Sequence, residues 1–148
     1  CAELCGSGHA YMPVVVEAMT PEAYAEWVAQ KQQAAAKEAE QASAPYNREV
    51  AMKQGKTIYE SACASCHQAN GQGIEGTFPA LDGGEITTGP VEGHLKIVIH
   101  GSEKNPVMQA YGDKLSDREI AAVITYERNA WSNDTGDLVT PQAVEAAR

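Results

Sequence analysis

Cys63-Ala64-Ser65-Cys66-His67 places two thiols three residues apart with an imidazole directly after them. On a helix this spacing sets the sulfurs one turn apart. They can then add to the two vinyl groups of one porphyrin, with the histidine beneath the metal as an axial ligand. The run is the attachment signature of a c-type haem. A thioredoxin-like disulfide or half of a zinc site uses the same pair. The first belongs in a βαβ context and the second needs another ligand pair, and no cysteine follows His67. A ligand for the other face of a haem must come from downstream. Met108 is the methionine after His67, in the stretch Asn105-Pro106-Val107-Met108-Gln109-Ala110-Tyr111-Gly112. A thioether there raises the reduction potential and suits electron transfer. His94 or His100 in its place would give a bis-histidine iron. Met19 and Met52 precede the motif and read as packing or surface residues.

A second cluster lies at the start of the sequence. Cys1, Cys5, His9 and Met12 gather two thiols, an imidazole and a thioether around the glycine-rich loop Cys5-Gly6-Ser7-Gly8. Such a soft ligand set suits copper.

The elements that must position these groups follow from pattern. Pro13 to Val16 reads as a short strand, which cannot fold alone. Thr20-Pro21-Glu22 supplies an N-cap, a proline at the first helical position and an early acid, and predicts a helix to about Gln41. Tyr24, Trp27 and Val28 form its apolar stripe, read as docking residues against a neighbour. The rest is a solvated spacer ending at Ala44-Pro45. From Tyr46, Val50, Ile58, Tyr59 and Ala62 mark a helix running to Cys63, with Gly55 where another backbone can come close. Gln68 to Gly93 is irregular and glycine-rich, too long for a structureless stretch unless it wraps something. A short helix is expected over His94 to His100, then a loop from Gly101 to Leu115. Ser116-Asp117-Arg118-Glu119 is a capping box opening a helix to about Trp131, and Thr140-Pro141 opens a last short one. No internal repeat is visible.

The chain has 148 residues and a mass of 15.8 kDa, enough for one ordinary domain or a small domain with an arm. Aromatics are only 6% of it, so a core of normal size lacks its bulkiest filling unless a cofactor occupies the interior. The net charge of -9 and pI near 4.8 argue against nucleic acid and anionic lipid as partners and favour a basic one. Glu75, Asp82, Glu85, Glu92 and Glu103 read mostly as solvated surface, with a docking patch for a basic donor as the sharper alternative. The apolar runs are far below the roughly 20 residues of a membrane helix. The start on Cys1, inside a motif and without an initiator Met, predicts a piece of something longer. No hydrolytic triad or phosphate-cradling loop is present.

Gly55-x-x-x-Tyr59, the C-A-S-C-H run, Phe78-Pro79-Ala80-Leu81, Met108-x-x-Tyr111-Gly112 and Leu115-Ser116-Asp117-x-Glu119-Ile120 together resemble a class I cytochrome c domain over about residues 46 to 131. That resemblance implies an all-α fold around covalent haem c. Cys63 and Cys66 would be the attachment residues, and His67 and Met108 the iron ligands. The Pro79 carbonyl would accept the His67 Nδ1 hydrogen bond, and the first and last helices would cross at Gly55 against the face of Tyr126. Ile74, Phe78, Leu81, Leu95, Val98, Ile99 and Ile124 would line the pocket, with Trp131 as packing. Gln68 stands where the family often has glycine, and the stretch before Met108 is longer than in short relatives.

The run C-x-E-x-C-x-x-x-H-x-x-M is similar to the dinuclear copper loop of cytochrome c oxidase subunit II. By that resemblance Cys1 and Cys5 bridge two coppers, His9 and Met12 each bind one, and the Glu3 carbonyl completes the site. The remaining histidine, the cupredoxin strands and the membrane helices would precede Cys1, so the copper site is incomplete in this chain. Copper loop, spacer and haem domain in this order resemble subunit II of the caa-type oxidases. The implied organisation is a cupredoxin remnant over 1–19, a helical spacer over 20–45 and a cytochrome c domain with a short extension over 46–148. The implied role is electron relay from a donor cytochrome toward the oxidase's copper, in a respiratory membrane complex with other oxidase subunits. It places the domain in the periplasm or on the outer membrane face, with no catalysis by this chain alone. Three rivals are a free-standing electron carrier, a small haem peroxidase with an open distal face, and a copper-handling protein.

Overall fold

The computed structural model describes residues 16–148, apart from the side chains at 34, 37–39 and 41–43. The copper loop with Cys1, Glu3, Cys5, His9 and Met12, residues 1–15 of the cupredoxin remnant, and all but the last residue of the expected strand lie outside the described residues. The chain divides into two compact units, Cys1–Ala44 and Pro45–Arg148.

In the first unit, helix α1 spans Pro21–Ser43, two residues beyond the predicted end. Thr20 caps it, its hydroxyl accepting from the Ala23 amide at 3.2 Å, with Pro21 in the first turn. Tyr24 and Trp27 stack with ring centroids 5.9 Å apart, and both rings are exposed.

The second unit is helical: α2 Arg48–Ile58, a π turn Tyr59–Cys63, α3 Ala64–His67, α4 Glu85–Thr88, α5 Val91–His100, α6 Asp117–Asn129 and α7 Pro141–Ala147. No strand forms among the described residues, only an isolated bridge between Ile74 and Phe78. The single helix expected up to Cys63 is therefore broken into an α segment and a π turn, and resumes as α3 to carry His67. Helix α5 starts at Val91, three residues before the expected His94, and α4 interrupts the stretch read as irregular.

Helices α2 and α6 form the main crossing, and α7 packs on α6 and α5. Gly55 lies at the crossing: a Cβ built there would sit 2.1 Å from the Ala122 carbonyl oxygen and 2.6 Å from Tyr126 Cβ, so only glycine lets the backbones this close. Helix α6 begins with the full capping box, Ser116 and Glu119 each bonding the other's backbone amide. Its sides are buried at Ile120, Ala121, Val123 and Ile124, which with Tyr59, Leu95, Val98, Ile99, Val139 and Val144 make the core.

The segment after α6 is fastened by polar bonds as well as by the burial of Val139 and Val144. Arg128, a buried guanidinium, donates to the carbonyls of Thr87 and Gly89 at 2.8 Å each and to the Asp137 carboxylate. This partner holds Asp137 below the usual carboxylate range. Val139 N donates to Thr125 Oγ1, and Arg148 reaches the Gly112 carbonyl and Asp117.

Candidate functional site

The π turn inserts one extra residue per turn exactly where the chemistry begins, a frequent mark of functional helices. It carries Tyr59 into the core and delivers Cys63 to the rim of a cleft of about 410 Å³. Cys63, Cys66, His67 and Met108 all line that cleft. Both cysteines are free thiols and half-buried, and burial pushes the Cys63 thiol well up from its ordinary range. Such a thiol holds its proton and is a weak nucleophile by itself.

His67 is buried, and its Nδ1–H donates to the Pro79 carbonyl at 2.9 Å. That bond fixes the tautomer and leaves Nε2 as the nitrogen that can meet a metal. The loop from Gln68 to Leu81 is what brings Pro79 back. Gly73 N bonds the His67 carbonyl, Ile74 and Phe78 pair, and Leu81 N reaches the Gly71 carbonyl. A Cβ on Gly73 would lie 2.3 Å from the Phe78 oxygen, and one on Gly71 would strike the Trp131 ring at 2.7 Å. Trp131 closes this side, edge-on to Tyr59 and Tyr126 with centroids 5.0 and 5.7 Å away, its Nε1–H on the Ala69 carbonyl.

Met108 comes from the opposite wall on a loop anchored at several points. Its amide bonds the Asn105 carbonyl and its carbonyl accepts from Ser102 N, while Asn105 Nδ2 holds the Thr77 carbonyl at 3.2 Å. Tyr111 N and Gly112 N are bound by the Val98 and Ile99 carbonyls at the end of α5, and the Tyr111 hydroxyl donates to Ala62 O at 2.9 Å. The loop thus holds the π turn and α5 together.

The cleft wall differs in part from the expected apolar set. Phe78, Leu81 and Val98 line it. Leu95, Ile99 and Ile124 do not; they lie on the faces of α5 and α6 turned into the helical core. Ile74 is 45% exposed beside its bridge to Phe78. Their places are taken by Ile97, Val123, His94 and Glu127, residues one helical turn apart on α5 and α6. His94 Nε2 is engaged by Glu127 Oε2 at 2.8 Å, and His100 Nε2 is near the Ala147 carbonyl, away from the cleft. Of the acids read as surface, Glu75, Glu85, Glu92 and Glu103 are exposed, but Asp82 accepts from both the amide and the hydroxyl of Ser132, which lowers its carboxyl from the usual range. Among the described residues no cluster of three or more His, Cys, Asp or Glu gathers around a metal-sized space, and no helix is long and apolar enough to cross a membrane.

The donor set fits a porphyrin: two thiols on one rim, a braced imidazole and a thioether from separate segments, and walls that include Phe78, Leu81, Val98 and Val123.

Two Thermus thermophilus proteins named cytochrome c-552 are similar to this chain, 36% and 37% identical over 97 and 92 residues, covering 57% and 53% of it and 64% and 69% of themselves. The cytochrome c subunit of a quinone alcohol dehydrogenase from Gluconacetobacter polyoxogenes is 30% identical over 104 residues, 64% of this chain but 22% of that subunit. A shorter likeness, 61% over 28 residues, joins 19% of the chain to 11% of cytochrome c oxidase subunit 2 from Zea mays. The chain thus spans about two thirds of the Thermus cytochromes and a small part of the others. Residues 50–126, just over half the chain and the stretch that holds both cysteines, His67, Pro79 and Met108, match the family model described as "Cytochrome C oxidase, cbb3-type, subunit III", and the chain belongs to this family of cytochrome c domains, whose cofactor is covalent haem c.

Proposed function

We propose that the unit Pro45–Arg148 is a one-electron relay, with haem c joined to Cys63 and Cys66 and its iron held by His67 and Met108. The observation that carries this reading is the His67 Nδ1–Pro79 O bond at 2.9 Å on a histidine that shares one cleft with both thiols and Met108. When bound, the haem supplies the reversible ferric–ferrous couple. The chain's own residues do the rest. Pro79 fixes the His67 ring, the Asn105 and Tyr111 bonds fix the Met108 backbone, and Phe78, Val98 and Val123 keep water from the interior.

The relay would serve a terminal oxidase as part of a subunit II, passing electrons from a basic redox donor toward a copper centre to which Cys1, Glu3, Cys5, His9 and Met12 contribute. This is supported by the order of motifs and by the 28-residue likeness to an oxidase subunit 2. The seat of such a complex would be the periplasm or the outer membrane face. A second reading, the electron-transfer subunit of a dehydrogenase, is supported by the likeness to the alcohol dehydrogenase subunit.

Optical spectra of the haem-loaded chain, with metal analysis of the same sample, test the relay. Sharp haem c bands on reduction and a weak far-red sulfur-to-iron band on oxidation are expected, the latter lost in Met108→Ala. Ready carbon monoxide binding by the wild-type protein, without the far-red band, would sink the Met108 assignment. Electron transfer from the haem to a copper-loaded subunit carrying Cys1 to Met12 separates the oxidase reading from the dehydrogenase one.

A further inference from the structure

The wall of the cleft holds one buried ionisable pair that the relay reading leaves unused. His94 on α5 is 2% exposed and Glu127 on α6 is 3% exposed, with Nε2 and Oε2 2.8 Å apart. Both residues line the cleft that holds Cys63, His67 and Met108. The second ring nitrogen, His94 Nδ1, is buried and has no hydrogen-bond partner. A buried polar atom left in this state is destabilising, and a leucine pair of similar volume would pack this wall without that cost. The fold keeps the polar pair where an added electron would be felt through a medium of low dielectric.

We propose that the His94–Glu127 pair is a proton site coupled to the haem, which gains one proton from solvent when the haem gains one electron and returns it on oxidation. The proposal rests on the reading that the cleft holds haem. The electron comes from a one-electron donor protein and stays on the iron. The proton comes from water and adds to the lone pair of His94 Nδ1, so the imidazole becomes an imidazolium facing the Glu127 carboxylate, and no other bond is made or broken. Reduction adds a negative charge to the cleft and so favours the added proton. Glu127 supplies the counter-charge.

Other ionisable groups face the pair. On the π turn they are Cys63, within hydrogen-bonding reach of Glu127, and Tyr59, whose hydroxyl is committed to the Gln68 carbonyl. On α6 they are Tyr126 and Arg128, the latter saturated by Thr87, Gly89 and Asp137. Cys66 and His67 on α3, Glu85 on α4 and Tyr111 on the Met108 loop also line the cleft. Cys63 and Cys66 lose their protons on attachment, the Tyr111 hydroxyl bonds Ala62 O and Glu85 is exposed, which leaves His94–Glu127 as the buried pair able to take the proton.

The test is a spectroelectrochemical titration of the haem-loaded full chain from mildly acidic to mildly basic pH. The wild-type potential should fall as pH rises, with a slope approaching 59 mV per tenfold change in proton concentration over the active window. Glu127→Gln should flatten it, and so should the double variant His94→Leu with Glu127→Leu, which replaces the pair by apolar volume and so keeps the fold even where a single change does not. A wild-type potential independent of pH overturns the proposal. A slope that survives in the double variant also overturns it and assigns the proton to the porphyrin carboxylates. A chain that shows no haem c bands fails the relay reading instead, and is recognised before any titration begins.

Discussion

Gln68 holds backbone angles of φ 63° and ψ 156°, a region that is costly for any residue with a Cβ. It sits at the C-terminus of α3, directly after His67, where the chain must reverse to bring Pro79 back. Gln68→Gly relieves the strain and is expected to raise stability by about 1 kcal/mol after the added entropy of the unfolded glycine is subtracted, read as a rise in denaturation midpoint. The sequence shows that this position departs from the family's habit but not what the departure costs, because dihedral strain is set by the loop that follows. Asp137 makes a pH-dependent contribution. Its carboxyl is lowered by Arg128, so the stabilisation is present above the unfolded value of about 3.9 and is lost as pH falls through the lower folded value. Asp137→Asn is expected to melt lower than wild type at neutral pH, with the two curves converging in strong acid. A difference that persists unchanged into strong acid would mean that the charge on Asp137 is not its source. His94 shows how a residue's role escapes sequence reading: its partner Glu127 is 33 positions away, and only the packing of α5 on α6 turns a candidate iron ligand into half of a buried pair.

The helices were legible wherever a cap or a periodic face marked them. Thr20-Pro21, Ser116 to Glu119 and Thr140-Pro141 each open a helix where their hydrogen-bonding logic requires. The π turn was not legible, since no residue type demands it; it arises because Tyr59 must enter the core while Cys63 reaches the cleft. The pocket lining was misread for a related reason. Ile, Leu and Val on α5 and α6 are interchangeable by composition, and which face meets the cleft depends on the rotation of each helix about its axis. Gly55 was legible as a place of close approach. Gly55→Ala is expected to destabilise the α2–α6 crossing by about 3 kcal/mol or to separate the helices, because the added methyl falls on a carbonyl that cannot give way. Denaturant titration of the haem-loaded chain reads the loss; a change within a few tenths of a kcal/mol would show that the crossing is looser than described.

At the scale of the whole unit, the cleft sets the terms of stability. At about 24 cal/mol per Å³, losing the filling of a space of about 410 Å³ costs up to about 10 kcal/mol, as much as an ordinary domain's entire stability. The haem-free chain is therefore expected to lack a cooperative melt by calorimetry while the loaded one has it; a compact apo form with a sharp transition would refute this. The class of the domain was readable from the sequence because it rests on a few residue types at fixed spacing, whereas the walls of the cleft depend on contacts between distant segments. The bracket around His67 closes within a loop of twelve residues, whereas the Gly55 contact with Tyr126 must join positions 71 apart and wait for most of the chain. Short loops close sooner and at lower entropic cost than long ones. The end of the cleft that carries the two thiols and His67 can thus take shape before the α2–α6 crossing that closes the rest of the unit.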